Sequence, residues 1–365
     1  MTRRAEKITD TVLLILSFLL GIAVVWLGFV RCWRSVDSAL LIVLLFLCGA
    51  FSSIVCSAFH ELGHLIFGAL CGFRFISVHI GPLKIYRKGN KISCAFYKMS
   101  SDVAGVAEMV PERTDGLCRK TALFICGGLL FSLLFFAGTA VALGLFRSIP
   151  VWVYLLVCTS LPYAFYLFFR NLIPFEGTDG AFLFGLLKRE DSSAVALDLL
   201  AIESFLYRGY TPSEIPAEYF FSLPQLPEDD LNFILLTVYR LAYYQDGGDV
   251  QGMIAACNRL RDLLDYVPDC YFPQVASEVL FTECLIAGGE IVAKEMFPSL
   301  NKLLKREKLP HSHRILSAYE LYINEDVVSA LSELEAAEEE AEECPLSGMK
   351  KYEKKLLAHI RADMA

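Results

Sequence analysis

The chain has 365 residues, of which 55% are hydrophobic, and a formal net charge of -8. Its mean hydropathy of +0.48 is too high for an ordinary soluble domain, so part of the chain is expected to lie in lipid. Because the acidic residues concentrate in the second half, a nucleic-acid partner is disfavoured. Long uncharged runs fill residues 1–187, whereas residues 188–365 are rich in charged side chains, which predicts two regions with different surroundings.

The first apolar stretch covers residues 10–30 and follows a basic start. It is about 20 residues long, more than the apolar core of a secretory signal needs, and no clean small-residue cleavage site follows it. We therefore interpret it as a retained membrane-spanning helix. With a short external loop it forms the first predicted segment, residues 1–37.

Three further apolar runs cover residues 38–71, 120–146 and 151–172, and the last continues irregularly to residue 187. At a rise of about 1.5 Å per residue, each is long enough to cross about 30 Å of hydrocarbon. Gly49, Ser52 and Ser53 lie in the middle of the second run, where they could kink a helix, but we interpret the run as one helix. Residues 38–187 form the predicted membrane core.

Between the second and third spans, residues 73–98 alternate apolar and polar side chains around Gly89 and Asn90. This pattern predicts a β-hairpin in a small membrane-associated sheet at the membrane surface. Basic residues are frequent before the first span and between the second and third, and scarce between the third and fourth. We therefore expect the N-terminus, residues 72–119 and everything after residue 188 to be cytosolic.

After a predicted linker at 188–228, residues 229–365 are expected to form a soluble α-helical domain. Helices are predicted at 229–245, 250–264, 272–287, 290–306, 311–323, 325–342 and 347–363. The pairs recur about every 40 residues, near the period of helical solenoids; an irregular helical bundle remains the alternative. Stacked helix pairs present extended grooves, so this domain is expected to bind a cytosolic protein partner. The acidic run at 332–344 is interpreted as a solvated helix face.

The chain contains twelve cysteines. None forms a Cys-x-x-Cys pair, and many lie in apolar runs where a small thiol packs well. We therefore expect reduced thiols rather than a disulfide framework.

The second span carries the sequence His-Glu-Leu-Gly-His at residues 60–64. On a helix, His60 and His64 project from one face one turn apart and can chelate a single zinc ion, while Glu61 is placed to act on a water at that metal. Ionisable side chains in lipid are costly, and their presence there indicates a functional site. The sequence therefore predicts an intramembrane zinc site.

A catalytic zinc site needs a third protein ligand and one open position. Glu176 and Asp179 follow the fourth span in "RNLIPFEGTDGAFLFGLL" (170–187), where irregular backbone is tolerated if it lines a site. The helix breakers of this stretch are Pro174, Gly177 and Gly180. We interpret Asp179 as the third ligand; it could also cap a helix at 181–187, alone or in addition to binding metal.

Together, "HELGH" on one span and "NLIPFEGTDG" on a later one resemble the site-2 protease family of intramembrane zinc metalloproteases. The likeness covers roughly residues 38–187 and includes the hairpin and the glycines of "ICGGLLFSLL" (125–134). The resemblance implies three zinc ligands, a catalytic acid/base and a polar residue that helps to position substrate. These are, in turn, His60, His64 and Asp179, then Glu61, then Asn171.

The chain also departs from the family pattern. Where the family often has Gly-Pro and then Asn in the third span, this chain has Gly127 and Gly128, then Phe131 and Ser132, so the contact made by that Asn is expected to be missing. The polar insert before Asp179 leaves Glu176 as a rival ligand or a neighbour of the site. No PDZ-like domain is visible between the spans, and the C-terminal helices stand in its place.

The resemblance implies a zinc metalloendopeptidase that uses Zn²⁺ to hydrolyse membrane-anchored protein substrates near the cytosolic side of a bilayer. The compact size and the single membrane core indicate a bacterial plasma membrane. Two other hypotheses stay open. One is the prenyl-protein processing class, which also carries His-Glu-x-x-His in a span but takes a downstream glutamate as ligand, here Glu176. The other is a catalytically inactive membrane scaffold whose cytosolic helical domain binds a partner protein.

Overall fold

The computed structural model describes residues 3–32, 37–89, 91–96, 105–145, 150–306 and 309–364. Over these residues the chain is mostly helical and contains one four-stranded sheet. It divides into two compact units. Unit 1 comprises residues 1–86, 94–109 and 116–189, and unit 2 comprises residues 87–93, 110–115 and 190–365.

Unit 1 contains four long apolar helices, each long and apolar enough to cross a membrane. They are α1 (Arg3–Cys32), α2 (Ser38–Leu70), α3 (Leu117–Leu145) and α4 (Val151–Leu172). The predicted spans are thus confirmed as apolar helices. A short helix, α5 (Asp179–Lys188), follows α4 after an irregular stretch.

Helix α2 runs unbroken through Gly49 and Ser52, as the single-helix interpretation expects. Ser52 is fully buried, and its hydroxyl donates to the carbonyl oxygen of Cys48 at 2.7 Å. The same hydroxyl lies 2.9 Å from that of Thr159 and 3.0 Å from that of Ser160, both on α4. Small polar residues at this position therefore join two apolar helices by hydrogen bonds instead of kinking one of them.

The sheet consists of β1 (Phe73–Ile80), β2 (Leu83–Lys88), β3 (Lys91–Phe96) and β4 (Gly105–Pro111), in the order β3-β2-β1-β4. Strands β2 and β3 are paired, as the predicted hairpin requires. Of the two predicted turn residues, Gly89 has a φ of +56°, a value that glycine adopts without strain; Asn90 lies outside the described residues. The sheet is larger than the predicted hairpin. A further antiparallel pair joins β1 to β2, and β4 adds an edge strand.

The sheet lies alongside α2. A Cβ added at Gly81, in the β1–β2 turn, would lie 3.8 Å from a side-chain carbon of Ile54. Further along the helix, Gly105 of β4 lies against Glu61, and Met109 of β4 against Gly68. The sheet therefore flanks the second half of α2, a position that an alternating sequence pattern alone does not predict.

Unit 2 contains nine helices among its described residues. They are α6 (Asp191–Arg208), α7 (Glu218–Phe221), α8 (Leu231–Gly247), α9 (Val250–Asp262), α10 (Phe272–Leu285), α11 (Glu290–Leu304), α12 (Pro310–Tyr322), α13 (Val327–Glu342) and α14 (Ser347–Asp363). The seven helices predicted after residue 229 are present with bounds that differ by at most three residues. Helices α8 and α9, α10 and α11, and α12 and α13 pack against each other as pairs.

The prediction of a linker at 188–228 is wrong. This stretch includes α6, whose side chains Val195, Ile202 and Leu206 are buried against Phe220 and Leu236. These apolar residues recur every three to four positions, along with Leu199, which is the spacing of an amphipathic helix. The charged residues around them make this spacing hard to recognise in the sequence. The segment belongs to the core of unit 2.

The acidic run at 332–344 is only partly a solvated face. On α13, Leu334, Ala337 and Ala341 are buried in the core of unit 2. From the same run, the carboxylate of Glu340 lies 3.0 Å from the amine of Lys88, a residue of the same unit. The apolar residues of this acidic run therefore recur with the spacing of an ordinary amphipathic helix.

Candidate metal centre

The predicted motif places its three ionisable side chains in the interior of unit 1. His60, Glu61 and His64 lie on α2 and are only 6%, 4% and 5% exposed. The Nε2 atoms of the two histidines approach to 3.2 Å, as the four-residue spacing on one helix predicts. Both rings therefore direct one nitrogen at the same point.

Asp179 completes the group from the far side of unit 1. It is the first residue of α5, and its Oδ2 lies 3.1 Å from the Nε2 atoms of both His60 and His64. The three donor atoms form a nearly equilateral triangle, although Asp179 is 115 residues from His64 in the chain. Among the described residues, this is the group of His, Cys, Asp or Glu side chains that could hold a metal ion.

The donor triangle fits a tetrahedral metal. With metal–ligand distances of about 2.0–2.1 Å, two donors of a zinc tetrahedron stand about 3.3 Å apart, close to the 3.1 and 3.2 Å found here. Two imidazole nitrogens and one carboxylate oxygen, with a fourth position left open, are a donor set typical of catalytic zinc. Three electron-rich atoms that converge in a buried place also favour a cation over an empty space.

Helix α3 holds the other nitrogen of each ring. Nδ1 of His64 donates to the backbone carbonyl oxygen of Phe124 at 3.0 Å. Nδ1 of His60 lies 2.8 Å from the hydroxyl of Ser132. Such outer contacts fix the orientation of metal-binding imidazoles. The sequence interpretation expects a polar contact from this helix to be missing, whereas the structure shows that Ser132 provides one.

A glycine crossing allows α3 to come this close. A Cβ on Gly63 of α2 would clash with the carbonyl oxygen of Gly127, and a Cβ on Gly127 would clash with the carbonyl oxygen of Gly63. Next to them, a Cβ on Gly128 would overlap the imidazole of His64. Small residues at a helix crossing permit backbone contact, and here that contact brings the hydrogen-bonding groups of α3 to both rings.

The break before α5 sets the position of Asp179. Thr178, not Asp179, is the N-cap: its hydroxyl accepts from the backbone N–H of Ala181 at 3.3 Å and donates to the carbonyl oxygen of Phe175 at 2.8 Å. The interpretation of Asp179 as a cap of a helix at 181–187 is therefore wrong. Because Thr178 caps α5, the carboxylate of Asp179 is free to point at the histidines.

The structure does not bring the other two predicted side chains into the donor group. Glu176 is exposed, and its backbone N–H donates to the carboxylate of Glu6 on α1 at 2.6 Å. The side-chain amide of Asn171 donates to the carbonyl oxygen of Leu167, one turn earlier on its own helix, at 3.1 Å. Of the two candidate third ligands, the geometry selects Asp179.

Strand β4 covers Glu61. The backbone N–H of Ala107 donates to the Glu61 carboxylate, and a Cβ added at Gly105 would lie 2.5 Å from its Oε1. The sequence interpretation does not predict this strand, although glycine at position 105 is the one residue that lets a backbone pass so near a buried carboxylate. An extended edge strand therefore runs directly beside the candidate acid/base.

Unit 1 also contains an apolar groove of about 340 Å³. Its lining comes from α2, α3 and α4, and comprises Phe59, Phe131, Leu134, Phe135, Gly138, Thr139, Ala142 and Val157. No ionisable side chain is among these residues. We therefore assign the chemistry to the polar cluster and not to this groove.

The described cysteines are free thiols, as expected from their spacing.

No protein-family model, no curated protein and no solved structure matches the chain.

Proposed function

We propose that the chain is a zinc metalloendopeptidase of the site-2 protease type. The observation that supports this most strongly is the buried donor triangle of His60, His64 and Asp179 among four apolar helices, with Glu61 beside it. In this proposal the three donors hold Zn²⁺, and the substrates are membrane-anchored proteins. The reaction is the hydrolysis of a peptide bond.

In this reaction each residue of the site has its own chemical role. His60, His64 and Asp179 would hold a zinc ion, which when bound would supply Lewis-acid polarisation of the scissile carbonyl and activation of water. Glu61 accepts the proton of the attacking water and later passes it to the leaving amine. The N–H of Ala107 orients the carboxylate that makes these transfers. Because Glu61 is only 4% exposed, bulk water does not compete for its proton.

The position of β4 suggests how a substrate is held. A membrane-anchored helix must unwind before a peptide bond is accessible, and an extended chain can pair with the edge of a sheet. We assign this role to β4, because β4 is an edge strand whose backbone contacts Glu61.

The proposal also covers the membrane location and the orientation of the protein. Four apolar helices suggest association with a membrane. From the distribution of Lys and Arg, we propose that both termini and the catalytic side face the cytosol. We propose a bacterial plasma membrane as the location. The paired helices of unit 2 offer surfaces for a cytosolic protein partner.

The decisive experiment compares the wild type with Glu61→Gln. Both purified proteins are incubated with a pool of synthetic transmembrane peptides in liposomes, and cleavage products are identified by mass spectrometry, with zinc content measured in parallel. We expect Glu61→Gln to keep its zinc and to lose cleavage, because the amide cannot accept a proton. Cleavage by Glu61→Gln at the wild-type rate would refute the assigned mechanism, and cleavage by neither protein would favour the scaffold hypothesis.

The prenyl-protein processing class makes a different prediction. In that class a downstream glutamate binds zinc, so Glu176→Gln would remove the metal and Asp179→Asn would keep it. The structure favours the reverse, since Glu176 is exposed and Asp179 is 3.1 Å from both histidines.

A further inference from the structure

The two histidines of the site are held by chemically different groups on α3. His64 contacts a backbone carbonyl oxygen, that of Phe124, whereas His60 contacts the hydroxyl of a side chain, that of Ser132. A carbonyl oxygen only accepts hydrogen bonds, so Nδ1 of His64 carries a proton, and in the neutral ring Nε2 then keeps its lone pair for a metal. Nothing in the backbone imposes this on His60.

We propose that Ser132 is a positioning residue that fixes His60 as a metal ligand. The proposal rests on the proposed zinc site and adds a residue to it. With Nδ1–H of His60 donating to the Ser132 hydroxyl over 2.8 Å, the ring cannot rotate, and Nε2 stays directed at Asp179, 3.1 Å away. Both side chains are buried, at 6% and 3% exposure, so no bulk water replaces the contact.

The hydroxyl of Thr139, on the same helix, behaves differently. Thr139, two turns further along α3, donates to the carbonyl oxygens of Phe135 and Phe136 in its own helix. A hydroxyl inside a helix commonly bonds back in this way. The hydrogen bond recorded for Ser132 leads instead to His60, across the crossing of α2 and α3.

Removal of the hydroxyl leaves Nδ1 of His60 buried without this partner. The ring then gains rotational freedom, and the lone pair of Nε2 is no longer held in the donor triangle. Outer contacts of this kind change metal affinity by about 10-fold to 100-fold when they are removed. We expect Ser132→Ala to weaken zinc binding to this extent, while the contact between His64 and Phe124 remains.

The test is a zinc competition titration of the full-length protein in detergent, with a chromophoric chelator as competitor. The matched control is Thr139→Ala, which removes another buried hydroxyl of α3 that has no contact with the site. Ser132→Thr restores a hydroxyl, and Ser132→Cys serves as a nearly isosteric second variant if Ser132→Ala does not fold. We expect a loss of at least about 10-fold for Ser132→Ala and Ser132→Cys, and changes within about threefold for Ser132→Thr and Thr139→Ala.

The variant His64→Ala distinguishes the proposed metal site from the proposed positioning role of Ser132. If His64→Ala abolishes zinc binding while Ser132→Ala binds zinc as the wild type does, the positioning role is overturned and the metal site stands. Equal losses in Ser132→Ala and Thr139→Ala would also overturn the role, because they would indicate a general packing effect. Unchanged affinity in His64→Ala would overturn the metal site itself, and the role of Ser132 with it.

Discussion

The crossing of Gly63 and Gly127 predicts that one methyl group can disturb the metal centre without touching a ligand. In Gly127→Ala, the new Cβ would clash with the backbone carbonyl oxygen of Gly63 and with the side chain of Phe67. Backbone cannot rotate away as a flexible side chain can, so α2 and α3 must separate. Restoring an ordinary Cβ–oxygen distance requires a movement of about 1 Å at this close-packed contact.

That movement has a calculable effect on the site. The hydrogen bonds from α3 to His60 and His64 are 2.8 and 3.0 Å long, and adding about 1 Å takes both beyond the range of a hydrogen bond. Overpacking of this kind costs about 1–3 kcal/mol, against a gain of up to about 1 kcal/mol from replacing glycine with alanine in a helix. We therefore expect Gly127→Ala to be destabilised and to bind zinc about 10-fold to 100-fold more weakly.

The matched control is Gly138→Ala on the same helix, because nothing lies within 4 Å of a Cβ at that position. It gains the helix propensity of alanine without the clash. Thermal unfolding in detergent and zinc competition are measured for both variants and the wild type. If Gly127→Ala melts and binds zinc as Gly138→Ala does, the crossing does not position the histidines, and the reasoning fails.

Two further predictions concern α5 and unit 2. Thr178→Ala removes the N-cap of α5. It should reduce the free energy of unfolding by about 0.5–2 kcal/mol and weaken zinc binding, whereas Thr178→Ser should preserve both. An unchanged zinc titration of Thr178→Ala would show that the cap does not position Asp179. Burial, together with the nearby Glu218, raises the pKa of Asp198 on α6 to about 6. The folded state therefore favours the protonated acid, so this group's contribution to stability declines as the pH rises from its unfolded pKa of about 4 to about 6. Asp198→Asn should stabilise unit 2 by about 1 kcal/mol at pH 7.5, a value reduced to allow for solvent screening, and have little effect near pH 4. Urea unfolding in detergent, followed by circular dichroism at both pH values, measures this. Equal effects at the two pH values would contradict the pKa shift.

The sequence predicts most of the helices because their apolar periods are local. The four apolar runs and the helices after residue 229 are each encoded within their own segment. The segment at 188–228 was misjudged because charged residues surround the apolar spacing of Val195, Ile202 and Leu206. Strand β4 was missed, since its place in the sheet depends on pairing with a strand more than 20 residues away.

In the candidate site, too, the sequence predicts some residues and not others. His60 and His64 follow from a four-residue spacing, and Asp179 follows from its place in the irregular stretch after the fourth span; the structure brings the three together. The contacts of Ser132 and Phe124 could not be predicted, because they depend on how far α3 slides along α2. That register is set by the glycine contact, which a single sequence shows only as the small residues Gly63 and Gly127.

The central claim is that His60, His64 and Asp179 hold one zinc ion. Elemental analysis of the full-length protein, purified in detergent under metal-replete conditions, tests it most directly, with His64→Ala, Asp179→Asn and Glu176→Gln as variants. We predict about one zinc per chain in the wild type and in Glu176→Gln, and loss of the metal in the other two variants. A wild type without zinc, or an Asp179→Asn variant that keeps it, would contradict the account.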